Sequence, residues 1–141
     1  MKIIVFAFLA WVMSCTAAIA EEYNLTVHLH GIKSSQGLIQ VELYSEPKTF
    51  RKSALAQNII KVAAKEDSVT VKFAGIKPGA YAILAFHDED ENGVLNKRFG
   101  MIPTEGYALS NDPEVFGPPA FKDSAFEVIS DKELSIPIHY K

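Results

Sequence analysis

The sequence is poor in cysteine, and its single cysteine, Cys15, lies within the first twenty residues. A chain that loses this segment has no thiol, which excludes a disulfide framework and cysteine nucleophilic catalysis. The sequence also has no excess of basic residues, since it contains 14 lysines and arginines against 17 aspartates and glutamates, for a net charge of −3. A mildly acidic chain without a basic stripe is a poor candidate for binding nucleic acid or anionic membranes.

Long apolar runs are equally scarce, and the longest lies at the amino terminus. Residues 3–12 are uninterruptedly apolar, follow Lys2 and precede the small-x-small site Ala18-Ile19-Ala20. This order is typical of a secretory signal peptide. It predicts a signal peptide over residues 1–20 and a single exported domain over residues 21–141, periplasmic or secreted. A membrane span needs about 20 apolar residues, so we expect no transmembrane segment in the mature chain.

Cys15 leaves a second processing route open. The run Val12-Met13-Ser14-Cys15 loosely resembles a lipobox, although Met13 fits that pattern badly. Lipoprotein processing would anchor the protein through Cys15, and this would change its localisation but not its fold.

The first part of the exported chain alternates between apolar and polar residues. Tyr23 to His30 and Gly37 to Tyr44 both have this period of two, which is typical of half-buried strands, and the second run places Gln40 and Glu42 outward. The turn residues at 34–37 lie between the two runs, and we therefore predict a hairpin.

Further short strands follow, and one of them is fully apolar. Ala80 to Phe86 is predicted to be a central strand covered on both faces, and Pro137 places the last strand at a sheet edge. Residues 47–57 predict a short helix or an irregular crossover. Other strands are indicated at 59–63, 69–73, 126–129 and 134–140. We therefore predict an all-β fold, an antiparallel two-sheet sandwich of about seven strands, prealbumin- or immunoglobulin-like, with a small β-barrel as the alternative.

An acidic loop is the clearest chemical feature. Asp88 to Asn96 has the spacing D-x-D-x-N-G-x-L-N, which is the first half of an EF-hand-type calcium loop. The twelfth position is Phe99, which cannot coordinate a cation, so a closing carboxylate must come from elsewhere in the chain. The predicted Ca²⁺ ligands are Asp88, Asp90, Asn92, Val94 (through its carbonyl), Asn96 and Glu105. A solvated acidic turn at a strand end is the alternative, and we expect no other cofactor.

The histidines offer weaker sites. His28 and His30 share the outward face of the first strand, and His139 lies in the last, so the three would bind zinc or copper if these strands were neighbours. No nucleophile elbow is present, and we expect no enzyme activity. A hydrolase that uses Glu105 with His87 or Asp88 remains an alternative.

A long aperiodic segment, Phe99 to Phe121, follows the acidic loop. Its apolar residues, glycines and prolines predict a long ordered loop that packs on its own side chains. It either covers a sheet edge or forms a surface for a protein or small-molecule partner. The predicted surface residues are His87, Tyr107, Ser110, Asn111 and Phe116.

Several short motifs resemble, in the same order, the bacterial secreted family called domain of unknown function 2141. They are Phe73 to Ala82, Phe86-His87-Asp88, Asn92-Gly93, Gly100 to Tyr107, Ser110-Asn111 and Phe116-Gly117-Pro118-Pro119. The resemblance implies a bacterial exported β-sandwich, and the segment around Pro78-Gly79-Ala80-Tyr81 is also similar to transthyretin-like and carboxypeptidase-regulatory sandwiches. Signature residues implied by the resemblance are His87, Asp88, Asn92, Gly93, Pro103, Glu105, Ser110 and Asn111. Asn96 departs from the Asp that the family usually carries near this position.

These features together predict an exported binding or structural protein that binds calcium through the Asp88–Asn96 loop. A metal-independent ligand- or protein-binding module is the first alternative, and the hydrolase is the second.

Overall fold

The computed structural model describes residues 17–141, so Cys15 and most of the predicted signal peptide lie outside the described residues. Within this range none of the helices is long and apolar enough to cross a bilayer. The strands are β1 (Tyr23–Ile32), β2 (Leu38–Tyr44), β3 (Asn58–Ala63), β4 (Asp67–Ile76), β5 (Gly79–Asp88), β6 (Lys97–Arg98), β7 (Ile102–Pro103), β8 (Tyr107–Leu109), β9 (Phe126–Val128) and β10 (Lys132–Pro137). A 3-10 turn spans Ser53–Leu55, and the one α-helix of the described residues, the short α1, spans Phe121–Ser124.

Two main sheets form the sandwich. The smaller sheet has the order β10-β1-β4, and the larger has the order β3-β2-β5-β8, with β9 also pairing with β5. The strands β6 and β7 form a separate hairpin. The described strands form open sheets with no closed barrel, which confirms the sandwich prediction.

The main core lies between the two sheets. On β1 the alternation predicted from the sequence is confirmed, since Leu25, Val27 and Leu29 are fully buried. They pack in one cluster with side chains of β2 and β5, such as Val41 and Ile83. β5 is buried from its third residue to its end, as expected for a central strand covered on both faces.

The predicted hairpin between the first two strands is wrong. β1 pairs with β4 and β10, whereas β2 pairs with β3 and β5, so residues 33–37 cross from one sheet to the other. Turn residues specify that the chain reverses, but not which strand it pairs with afterwards. The pairing of β1 with β10 is also parallel, in register Val27↔Leu134, whereas an antiparallel sandwich was predicted. β10 forms an edge of its sheet, as predicted from Pro137, but it spans Lys132–Pro137 and not the predicted 134–140.

The outer face of the larger sheet carries a second, smaller core. Gln40 and Glu42 were predicted to face outward, but both are buried there beside Tyr44. Residues 45–57 form an irregular connection with one 3-10 turn between the neighbouring antiparallel strands β2 and β3, so the segment is neither the helix nor the crossover that was predicted. Its Phe50 packs edge-on against Tyr44, with 5.3 Å between ring centroids. Phe121 of α1 packs against Phe50 in the same way, at 5.9 Å. Loops that are distant in sequence therefore cover a strand face that local alternation marks as solvent-exposed.

Candidate functional site

The acidic loop, Asp88 to Asn96, folds around the carboxylate of its first residue. Asp88 ends β5 and is only 1% exposed. Its Oδ1 accepts the backbone N–H of Asn92 at 3.0 Å, and its Oδ2 accepts that of Gly93 at 2.8 Å. Gly93 has a φ of +79°, a conformation that glycine adopts without strain. The sharp turn predicted from the spacing is therefore present, and Asp88 holds it closed.

Glu105 joins the two ends of this loop. It follows the β6–β7 hairpin and is 7% exposed. Its Oε1 accepts the backbone N–H of Glu89 at 3.1 Å, and its Oε2 accepts that of Asn96 at 3.0 Å. The backbone N–H of Thr104 also donates to the carbonyl of Asn96 at 2.9 Å. The residue proposed from the sequence as the closing carboxylate thus lies at the mouth of the loop.

Three carboxylates converge in this loop. Oxygen atoms of Asp88, Asp90 and Glu105 lie within 4.8 Å of one another, and no other such acidic or histidine-containing group of three occurs in residues 17–141. Asp90 is exposed, and its Oδ2 accepts the side-chain amides of Asn92 at 3.1 Å and Asn96 at 2.8 Å. Each carboxylate oxygen has two lone pairs, so acceptor positions remain beyond those that the N–H groups occupy.

The two asparagines complete the network. Asn92 Oδ1 accepts the backbone N–H of Val94 at 3.0 Å, and Asn92 Nδ2 donates to Asn96 Oδ1 at 2.6 Å. Five of the six predicted ligand residues are therefore joined by side-chain hydrogen bonds, and Val94 joins through its N–H. Asn96 donates to Asp90, whereas the Asp implied by the family resemblance would instead add a fourth carboxylate here.

The pKa values of Asp90 and Glu105 are shifted from their ordinary values in opposite directions. The hydrogen bond from the Asn96 side chain is the largest of the effects that lower the pKa of Asp90. Burial is the main cause that raises the pKa of Glu105, and the charges of Asp90 and Asp88 raise it further. The backbone N–H groups of Asn96 and Glu89 oppose this rise. A cation near Glu105 would favour its ionised form, because an opposite charge stabilises a carboxylate.

His87 lies beside the cluster but is fully engaged elsewhere. It is completely buried, its Nε2 lies 2.6 Å from the Gln36 carbonyl, and its Nδ1 lies 2.7 Å from the Tyr140 hydroxyl. A carbonyl only accepts, so in the neutral imidazole the proton lies on Nε2, and Nδ1 accepts the Tyr140 O–H. The predicted surface position of His87 is therefore wrong: the side chain ties the root of the acidic loop to two other segments. The hydrolase alternative that pairs Glu105 with Asp88 stays a prediction.

The other histidines do not gather into a metal site. β1 and β10 are neighbours, as the zinc or copper hypothesis required. However, His28 Nδ1 lies 2.8 Å from Thr70 Oγ1, and His139 Nε2 lies 2.7 Å from Asp112 Oδ1. In the described part of the chain these histidines form no metal-binding group with His30, because each is held by a partner on a different strand or loop.

The remaining predicted surface residues fall into two classes. Ser110 is fully buried, and its Oγ accepts the Ile83 N–H at 2.9 Å. Asn111 donates its side-chain amide to the Ala125 carbonyl at 2.8 Å. Both residues fasten the long segment to the sandwich, whereas Phe116 is 98% exposed.

Tyr107 belongs to a groove on the outer face of the larger sheet that sequence reasoning missed. The groove has a cavity volume of about 480 Å³. Its lining includes Arg51, Phe86 and Pro118, which lie far from one another in sequence. The only local signal was the aperiodic, proline-containing segment from 99 to 121.

The comparisons with known proteins place the chain in one family. Residues 27–137 match the profile of the family DUF2141, described as an uncharacterized protein conserved in bacteria. No curated protein and no solved structure matches the chain. The family match covers more than half of the sequence, so the chain belongs to this bacterial family, as the resemblance in its motifs indicated.

Proposed function

We propose that this member of the DUF2141 family is an exported β-sandwich protein that binds Ca²⁺ through its acidic loop and Glu105. The observation that carries the proposal is the convergence of Asp88, Asp90 and Glu105 oxygens within 4.8 Å. Glu105 reaches this point from the far side of the β6–β7 hairpin, so the cluster is built by the fold and not only by the local sequence.

The charge of the cluster supports a cation. The ion pairs within residues 17–141 all involve histidine, and none includes Asp88, Asp90 or Glu105. Two of these carboxylates are buried, and like charges held close together in a partly buried site repel one another. A divalent cation would offset this repulsion.

The donor set suits calcium. Ca²⁺ takes 6–8 oxygen ligands in flexible geometry, whereas Mg²⁺ demands a near-ideal octahedron. The six predicted ligand residues all supply oxygen, three of them as carboxylates. The amides of Asn92 and Asn96 now donate to Asp90, so binding requires them to rotate and present Oδ1 instead.

Export belongs to the same proposal. Extracellular calcium modules bind with dissociation constants of about 10⁻⁴–10⁻³ M, which suits an incomplete loop without flanking helices. The mass of the protein recovered from the envelope distinguishes the processing routes. Cleavage after Ala20 gives a chain that starts at Glu21, whereas lipoprotein processing gives a lipid-modified chain that starts at Cys15. An unprocessed chain in the cytoplasm would contradict export.

The calcium proposal is tested by thermal unfolding after chelation, with calcium added back and magnesium as the control. Ligand at about 100 times its dissociation constant adds about 2.7 kcal/mol, which for a domain of this size raises the Tm by on the order of 10 °C. Asp90→Asn should abolish the rise, and Asp123→Asn, an exposed change outside the loop, should leave it intact. Absence of any rise up to millimolar calcium would contradict the proposal.

A metal-independent module is the second candidate, because Asp88 and Glu105 already accept backbone N–H groups and can hold the loop closed alone. It predicts the same Tm with and without calcium in both variants. The hydrolase alternative predicts turnover that Glu105→Gln abolishes while the Tm is retained.

A further inference from the structure

The groove on the outer face of the larger sheet has an apolar floor. Leu84 and Phe86 of β5 and Tyr107 of β8 lie on that floor. The second core, around Tyr44 and Phe50, covers the other end of the same sheet face. Leu84 is 7% exposed and Phe86 is 1% exposed, so both are nearly covered, and the open space lies beside them among loop residues such as Met101 and Pro118. Its volume of about 480 Å³ falls within the roughly 300–1,000 Å³ of small-molecule sites.

Exposed apolar side chains gather on the segment that borders the groove. Val94, Met101 and Ile102 line it, and Phe99 and Phe116 are exposed beside lining residues. These five are the majority of the nine large hydrophobic side chains exposed in residues 17–141. Scattered exposed apolar residues need no explanation, but a cluster beside a cavity marks a binding surface.

The charge around the groove has one sign. Arg51, Lys97 and Lys141 line it, and no aspartate or glutamate does. The whole chain, by contrast, carries a net charge of −3. An apolar cavity with cations at its border is complementary to a molecule that has an apolar chain and an anionic head, and a guanidinium binds a carboxylate through two parallel hydrogen bonds.

We propose that this groove binds a free acyl carboxylate, with the acyl chain along the exposed side chains of Val94, Met101 and Ile102 and the carboxylate at Arg51 or Lys97. A membrane surface is a poorer occupant, because juxtamembrane recognition uses clusters of about 4–8 basic residues. The groove has three, set around a recessed cavity. The groove shares Val94 with the acidic loop but includes none of the carboxylates Asp88, Asp90 and Glu105, so binding is tested in calcium-free protein.

Titration calorimetry with decanoate below its micelle concentration tests the head group. The double variant Arg51→Gln/Lys97→Gln should weaken decanoate binding at least tenfold and leave 1-decanol, which has the same chain without the charge, unchanged. The matched control is Lys72→Gln/Lys77→Gln, on and just after β4 and outside the groove. Equal weakening by both double variants would assign the effect to overall charge and overturn the proposal.

A second pair of variants tests the apolar chain. Met101 lines the groove and is 72% exposed, and Ile129 is 73% exposed but lies outside it. Met101→Asp should weaken both decanoate and 1-decanol, whereas Ile129→Asp should weaken neither. Both side chains are exposed, so neither change should alter the Tm by more than about 1–2 °C.

Two results would overturn the proposal outright. The first is the absence of decanoate binding up to the micelle concentration. The second is binding to phosphatidylglycerol vesicles without binding to monomeric decanoate, which would make the groove a membrane-docking surface instead.

Discussion

Tyr140 connects three segments near the root of the acidic loop, and its hydroxyl can be removed alone. Its O–H lies 2.7 Å from His87 Nδ1, and the same oxygen accepts the Lys33 N–H at 3.3 Å. Burial raises the pKa of Tyr140, so the hydroxyl stays protonated and remains a donor at neutral pH. A methyl group at Gly106 would collide with the ring, with Cζ at 2.6 Å, so the ring is positioned closely.

Tyr140→Phe should lower the free energy of unfolding by about 1–3 kcal/mol, the cost of leaving a buried polar atom unpaired. That atom is Nδ1 of His87, whose side chain is fully buried and out of reach of water. The Lys33 N–H is at an exposed position, where water replaces the lost bond, and it adds little. The Tm should fall by about 3–12 °C.

Thermal and urea unfolding measure this loss, with Tyr23→Phe as the matched control. The Tyr23 hydroxyl donates to Glu21 at an exposed site, so its removal should change the free energy of unfolding by less than about 0.5 kcal/mol. A double-mutant cycle adds a steric test. Gly106→Ala should destabilise the wild-type protein strongly. The same change should destabilise the Tyr140→Ala variant only weakly, because that variant lacks the ring. Equal effects of the two Tyr→Phe changes, or of Gly106→Ala in both backgrounds, would refute the reasoning.

Three further predictions concern the acidic loop and its supports. The folded-state pKa of Glu105 is raised, so its contribution to calcium-free stability is full below the ordinary glutamate pKa and is lost as the pH rises through the raised value. Calcium binding requires the ionised form of Glu105. The rise in Tm caused by calcium, measured between pH 7 and pH 4.5, should therefore disappear at a higher pH than it would for a glutamate of ordinary pKa. A rise in Tm that stays constant over this range would contradict the prediction. Ser110→Ala removes a hydroxyl that accepts the Ile83 N–H and donates to the Ser124 carbonyl, both at buried positions, and urea unfolding should show a loss of about 2–4 kcal/mol. Gly37→Ala should destabilise by more than about 1 kcal/mol in the same assay, because φ is +74° and the methyl group would meet the backbone at the end of β5, whereas an unchanged midpoint would refute the contact.

Strands whose burial follows from their own sequence were predicted well. β1 alternates as its residues do, β5 is apolar from Ala80 to Phe86 and is covered on both faces, and the strand that contains Pro137 lies at a sheet edge. These properties depend on the alternation of side chains along a strand or on the missing N–H of proline, and both can be read from a few neighbouring residues.

Features that depend on distant partners were predicted poorly. The turn at 33–37 correctly indicated a chain reversal, but the pairing of β1 with β10 rather than β2 depends on how the sheets assemble. Gln40 and Glu42 have an outward register, yet both are buried on a face where Phe50, from a distant loop, packs on the neighbouring Tyr44.

The two proposed sites differ in how much of each the sequence reveals. Binding of a hard cation needs oxygen ligands at fixed spacing, so most ligands of a calcium loop lie in one short segment of the sequence. Only the closing carboxylate, Glu105, comes from another segment. A groove for an amphiphile needs only apolar surface below and charge at the border, and any exposed arginine or lysine can supply the charge. Arg51 and Lys97 each lie in an unremarkable polar setting, and β5 supplies a floor that resembles any buried strand. The groove exists because loop residues that are distant in sequence, such as Arg51, Met101 and Pro118, meet beside one sheet face, and that meeting is a property of tertiary packing alone.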